Sequence, residues 1–155
     1  MCGIFGFVDE RSVLSPAKAH DIGTRCRDAL THRGPDGEGA FFDVTSGVGL
    51  FHRRLSVVDL SVHGHQPMLS ASKRFALCFN GEIYNHGELR TVLAAGGTRF
   101  VGTSDTEVFL NAVDVMGLET ALLKARGMFA LALFCRAESI PRRSQPSCNP
   151  SRRVR

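Results

Sequence analysis

Cys2 is the residue with the most chemistry to offer. Initiator methionine is normally removed when the next side chain is as small as cysteine. The processed chain then begins with Cys2, with a free α-amine on the same residue as a thiol. An α-amine ordinarily titrates at about 7.7–8.0 and a thiol at about 8.5. Near neutral pH the first can accept a proton, and the second is the best side-chain nucleophile. Nucleophile and base then share one residue, the logic known for N-terminal threonine. The competing reading is a small residue ahead of a strand. His63-x-His65 has metal-ligating side chains, but no acidic or cysteine partner stands at suitable spacing.

Composition narrows the classes. The chain has 155 residues, 43% hydrophobic and 22% charged, which suits one soluble globular domain. No stretch approaches the roughly 18 apolar residues of a membrane span, and no basic region precedes an apolar run at the N-terminus. A cytoplasmic protein with no membrane partner is expected. Cysteines at 2, 26, 78, 135 and 148 are scattered without a C-x-x-C pair, against both a disulfide framework and a metal site. The formal charge is +4, but residues 1–134 hold 13 Lys and Arg against 14 Asp and Glu. Residues 135–155 hold six arginines and one glutamate, so the basicity belongs to the tail and gives no reason to expect nucleic acid on the domain.

Several elements must hold Cys2 in place. Ile4–Val8 reads as a short buried strand. Ser15-Pro16 reads as a helix start, with Ala19, Ile22, Cys26, Ala29 and Leu30 on one face. Cys26 on that face, and Cys78 in an apolar strand, read as core. The loop Thr31–Gly37 follows, then β-prone segments at Ala40–Val44, Val48–Val58 and Phe75–Phe79. Glu88–Leu93 reads as a short helix stopped by Gly96-Gly97. Ser104-Asp105-Thr106-Glu107 has capping-box spacing ahead of a helix that places Val108, Ala112 and Val115 on one face. A shorter helix through Ala121–Leu123 and a buried strand over Met128–Phe134 complete a mixed α and β domain. Residues 135–155, with three prolines, four serines and six arginines, have little to bury and are expected to be disordered.

Five stretches carry a family pattern: Met1–Gly6; His32-Arg33-Gly34-Pro35-Asp36-Gly37; His52–Asp59 with Gly64-His65-Gln66-Pro67-Met68; Asn80-Gly81-Glu82-Ile83-Tyr84-Asn85; and Thr103–Glu107. In that order they resemble the N-terminal glutaminase domain of glutamine-hydrolysing asparagine synthetase, a class II glutamine amidotransferase. The resemblance covers residues 1 to about 134. It implies an α+β fold of the N-terminal-nucleophile hydrolase type, a four-layer αββα sandwich, incomplete here at the C-terminus. Relatives that feed sugar phosphates or purine precursors carry different residues around the arginine and the Asn-Gly pair.

The resemblance also implies roles. Cys2 attacks the side-chain amide of glutamine, and the resulting oxyanion is met by the Asn80 side chain and the Gly81 backbone N–H. Losing one such donor typically costs on the order of 10²–10³ in rate. Arg54 receives the substrate α-carboxylate, as a guanidinium can do bidentately. Glu82 and Asp105 receive the α-ammonium group, and Leu55, Ser56, Val57 and Val58 line the pocket. Each has an ordinary alternative: a surface arginine at Arg54, a hairpin turn at Asn80-Gly81, a helix-first-turn acid at Asp105. The His32–Asp36 loop is expected to lie near Cys2.

No G-x-x-x-x-G-K-[ST] or Ser-Gly-Gly-x-Asp-Ser phosphate loop is present. No cofactor is expected for this chain, and ATP and Mg are expected only for a synthetase domain outside it. The expected partners are glutamine and that synthetase domain, and a homodimer is compatible. The pattern stops at Cys135, which suggests a shifted reading frame or an unrelated basic extension. Two readings follow: a glutamine-hydrolysing domain supplying ammonia for asparagine formation, and an inactive fragment or a binding module acting through its basic tail.

Overall fold

A computed structural model describes residues 1–11, 13–56 and 62–136. Two antiparallel three-stranded sheets face each other. The first has strand order β1-β3-β2, from β1 (Gly3–Val8), β2 (Gly37–Asp43) and β3 (Val48–Arg54). The second has order β4-β5-β6, from β4 (Met68–Leu69), β5 (Phe75–Ile83) and β6 (Gly127–Cys135). Helix α1 (Pro16–Asp28) lies on the outer face of the first sheet. Helices α2 (His86–Ala95), α3 (Asp105–Met116) and α4 (Leu118–Lys124) belong with the second. The four αββα layers agree with the fold that the sequence motifs imply.

Side-chain alternation along the strands builds these layers. Ile4 and Leu50 point between the sheets, where they meet Ala76, Cys78 and Phe134. Their neighbours Phe5, Phe7 and Phe51 form a ring cluster on the other face. There the Phe51 ring lies where a Cβ on Gly23 of α1 would sit. On β5, the residues flanking Cys78 take the opposite face. Leu77, Phe79 and Ile83 pack with Val108, Phe109 and Val113 of α3.

Both helix starts are where the sequence puts them. The Ser15 hydroxyl accepts from the Lys18 N–H at 3.4 Å with Pro16 in the first turn. The Ser104 hydroxyl accepts from the Glu107 N–H at 3.2 Å. The capping box is not closed reciprocally, because the Glu107 carboxylate instead accepts from the Val101 and Gly102 N–H groups. That contact ties the loop before α3 to its first turn.

Several expectations need correction. Helix α3 is buried along most of its circumference from Asp105 to Val113, and Val115 is 61% exposed. One amphipathic face is too simple for a helix enclosed by α2, α4 and β5. Ala29, expected on the buried face of α1, is exposed as the C-cap residue. Strand β6 is half-buried rather than buried, because it lies at the edge of its sheet, with Met128 76% exposed. Strand β3 ends at Arg54, and the expected strand positions Val57 and Val58 lie outside the described residues. Strand β5 continues past Phe79 to Ile83, so Asn80-Gly81 is mid-strand and no hairpin turn. Strand β6 runs to Cys135, one residue beyond the expected boundary. Arg136 then donates its backbone N–H to Arg74 O and its side chain to Asp43.

Candidate active site

The same alternation selects the residues of the site. On β3, Leu50, His52 and Arg54 share the face toward the second sheet. Arg53, between them, turns to α1 and pairs with Asp28 at 2.7 Å and Glu38 at 3.0 Å. Of two adjacent arginines, only Arg54 reaches the space between the sheets. Asn80 follows Ala76 and Cys78 on the inner face of β5. Cys2 precedes Ile4 on the inner face at the start of β1. Residues far apart in sequence are thereby brought to one end of the sandwich.

There they line a cavity of about 550 Å³. Its wall includes Cys2, Arg54, Leu55, Ser56, Asn80, Gly81, Glu82 and Asp105, every expected site residue that is described. Val57 and Val58 lie outside the described residues. The Cys2 N–H donates to Asn80 Oδ1 at 2.9 Å. The Leu55 N–H stands 3.4 Å from Cys2 Sγ, and the sulfur is 3.8 Å from Leu55 O. Because the Cys2 nitrogen is the donor, the Asn80 atom facing it is the oxygen. The Asn80 NH₂ is therefore available to another partner. Met1 also lines the cavity, and its removal would leave an α-amine at the Cys2 nitrogen.

Short loops fix these groups. Arg33 Nε donates to Cys2 O at 3.3 Å, so the His32–Gly37 loop does lie beside Cys2. The Asp36 N–H donates to Arg54 O at 3.0 Å, and the Asp36 carboxylate accepts from the Ser56 N–H at 2.8 Å. A Cβ on Gly34 would come within 2.6 Å of the Arg53–Arg54 backbone, so this loop approaches β3 only with glycine there. At Gly64, a Cβ would occupy the space of the Arg54 guanidinium.

Asp105 is 8% exposed and its carboxylate is held on both oxygens. Oδ2 accepts from the Ile83 N–H at 2.9 Å and Oδ1 from the Thr106 N–H at 2.8 Å. It is also the first residue of α3, where the helix dipole favours a negative charge. Capping and lining the cavity are compatible roles for it. Gly81 has φ +144°, and a Cβ there would meet the Phe129 Cα at 2.5 Å. The position therefore excludes a side chain on both conformational and steric grounds.

The cavity wall also holds residues to which the sequence assigned no role. Gln66, Tyr84, Ser104, Thr106 and Phe129 line it. Gln66 stood in a recognised motif and Ser104 was read only as a cap, so both were visible without their role. The aromatic Phe129 reaches the cavity because β6 pairs it with Gly81, a long-range register that the sequence does not announce. Among the other thiols, Cys78 is fully buried, and burial pushes its pKa up to about 12. It stays protonated and inert, in contrast to half-buried Cys2 in the cavity wall. Among the described residues, no group of three or more His, Cys, Asp or Glu could hold a metal ion.

Among the described residues, the cavity wall combines a thiol, the Arg54 guanidinium and the carboxylates of Glu82 and Asp105. That set complements the zwitterionic head of an α-amino acid. The family model described as a glutamine amidotransferase domain matches residues 1–141. Glutamine-hydrolysing asparagine synthetase 1 of Bacillus subtilis is 39% identical over 134 residues, 86% of this chain and 21% of that protein. A putative glutamine-hydrolysing asparagine synthetase of Mycobacterium bovis is 37% identical over 145 residues, 86% of this chain and 22% of its own length. The chain thus spans about a fifth of the length of these curated relatives.

Among solved structures, the glutamine phosphoribosylpyrophosphate amidotransferase of B. subtilis superposes with a TM-score of 0.59 at 21% identity, covering 86% of this chain and 34% of that one. An allosteric regulatory enzyme of purine biosynthesis gives a TM-score of 0.65 at 20% identity, covering 86% and 35%. These likenesses support the fold. The family match over nearly the whole chain, together with the cavity that gathers its motifs, shows that this protein belongs to the glutamine amidotransferase domain family.

Proposed function

We propose that the chain, once Met1 is removed, hydrolyses glutamine to glutamate and ammonia through Cys2. The observation that carries this reading is the convergence of Cys2, Arg54, Asn80, Gly81, Glu82 and Asp105 on one cavity. Arg54 binds the substrate α-carboxylate, Glu82 and Asp105 the α-ammonium group. The Cys2 α-amine takes the thiol proton, and the sulfur adds to the side-chain carbonyl carbon. The oxyanion formed accepts hydrogen bonds from the Asn80 NH₂ and the Gly81 N–H. The protonated amine then gives its proton to the departing nitrogen, and ammonia leaves. Water, deprotonated by the same amine, attacks the thioester carbon. The Cys2 thiolate is expelled and takes the proton held by the amine, and glutamate is released. As in the proteins whose names specify asparagine synthesis, the ammonia would serve asparagine formation on a synthetase domain that uses ATP and Mg.

The test is the N-terminus itself. Processed protein should release glutamate from glutamine. Cys2→Ala, and a form carrying an uncleavable tag before Cys2, should not, while all three keep the same circular dichroism. A tagged form that turns over at the untagged rate would remove the N-terminal amine from the mechanism.

A further inference from the structure

Among the described residues, strand β5 is flanked by β6 along its whole length, but by the two-residue strand β4 only at its start. The bonds at the two ends of the β5–β6 ladder fix which way each peptide faces. The Arg136 N–H donates to Arg74 O and the Tyr84 N–H to Arg126 O. Antiparallel pairs alternate between bonded and non-bonded, so Asn80 and Glu82 bond to β6. Phe79, Gly81 and Ile83 turn their N–H and C=O groups to the opposite edge. β4 serves that edge as far as Leu77, paired with Met68. Beyond it, unpaired backbone groups need other partners.

Side chains supply them. Gln66 Oε1 accepts from the Phe79 N–H, and His52 Nε2, 3.2 Å from Phe79 O, donates to that carbonyl. Asp105 Oδ2 accepts from the Ile83 N–H at 2.9 Å. Gly81 lies between these two anchored peptides, with its N–H on the same open edge beside the cavity. His52 is 1% exposed and Gln66 7% exposed. Because Phe79 O only accepts, the His52 proton is on Nε2. Its Nδ1 is unprotonated and has no partner among the described residues.

We propose that His52 and Gln66 are positioning residues that clamp the Phe79 peptide in place of a longer β4, and so hold the Asn80 side chain and aim the Gly81 N–H into the cavity. This rests on the oxyanion role given to Asn80 and Gly81 above. His52 is not part of the cavity lining, and Gln66, which is, spends its Oε1 on the Phe79 N–H. Each acts through one peptide bond adjacent to the reacting site.

The test compares His52→Leu, His52→Gln and Gln66→Leu with the unsubstituted, processed chain, using glutamine as substrate. A thiol-directed glutamine analogue counts competent Cys2 sites, so that kcat is expressed per site. His52→Leu and Gln66→Leu should lower kcat per site at least about tenfold with KM nearly unchanged. His52→Gln, whose amide can still donate to Phe79 O, should restore most of the rate. A merely structural role would lower stability and the number of competent sites, but not kcat per site. Unchanged kcat in His52→Leu overturns the clamp. Asn80→Ala, measured alongside, separates the two ideas: if it too keeps its rate, the oxyanion reading itself falls. Amide hydrogen exchange gives a readout that needs no turnover. The Gly81 N–H should exchange at least about tenfold faster than those of Phe79 and Ile83, and Gln66→Leu should release the Phe79 amide. A Gly81 amide as protected as its neighbours would refute the edge assignment.

Discussion

Acidification below about pH 6.5 should destabilise the protein through His52. Burial is the largest cause of the perturbation of this imidazole. The hydrogen bond to Phe79 O acts in the opposite direction, and the charges of His65 and Arg54 add to the burial effect. The net result is a pKa lowered from 6.5 to about 4. The unfolded chain therefore binds the His52 proton near pH 6.5, while the native protein resists it until about pH 4. Stability from this group is fully present above the unfolded value, falls as pH drops through that window, and is constant below it. At about 1.36 kcal/mol per pH unit the whole window is worth about 3 kcal/mol, of which about 2 kcal/mol is gone by pH 5. That is a large share of the ~5–15 kcal/mol that holds a domain together.

The assay is urea unfolding at pH 7.5, 6 and 5, on the unsubstituted protein and on His52→Gln. The glutamine variant keeps a donor for Phe79 O and cannot titrate. The remaining ionisable groups are common to both proteins and drop out of the difference, apart from the coupling between His65 and His52. Asp28 is held below the ordinary carboxylate range chiefly by the Arg27 hydrogen bond. Asp43 is also held low, where the Ser46 hydrogen bonds and Arg136 outweigh the upward push of burial. Both lose their contribution only at lower pH. With an m-value of about 2 kcal/mol/M, the unsubstituted midpoint should fall about 1 M further than that of His52→Gln by pH 5. Parallel loss in the two proteins would show that His52 is not buried in its neutral form, and the reasoning would fail.

Two further outcomes follow from the geometry. Arg54→Ala removes the cation from the cavity and should raise KM for glutamine about 10–100-fold with little change in kcat, since the α-carboxylate does not react; steady-state kinetics with a normal KM would move substrate recognition elsewhere. Gly23→Ala drives a methyl into the Phe51 ring between α1 and the first sheet and should cost about 1–3 kcal/mol in thermal or urea unfolding; an unchanged midpoint would mean that α1 packs differently.

Much of this protein is legible in its sequence because the signals are local. Ser15-Pro16 and Ser104 mark helix starts through bonds that span only three residues. The Met1–Gly6, His32–Gly37, His52–Ser56 and Asn80–Asn85 stretches name the site through residue types whose order alone identifies the family. Their meeting at one cavity could be expected from resemblance, but no local rule dictates it. Tertiary structure decides it, because strand alternation is set by which face of each strand is buried. That choice sends Arg54 into the cavity and the adjacent Arg53 onto α1. It places Asn80-Gly81 within β5, where β6 supplies partners over long range, although the pair read alone is a competent turn. Val115 is left exposed and α3 enclosed for the same reason: a helix's buried face depends on what surrounds it. The roles of Gln66 and His52 arise only in three dimensions, where β4 ends early and two side chains take up the backbone groups it leaves unpaired.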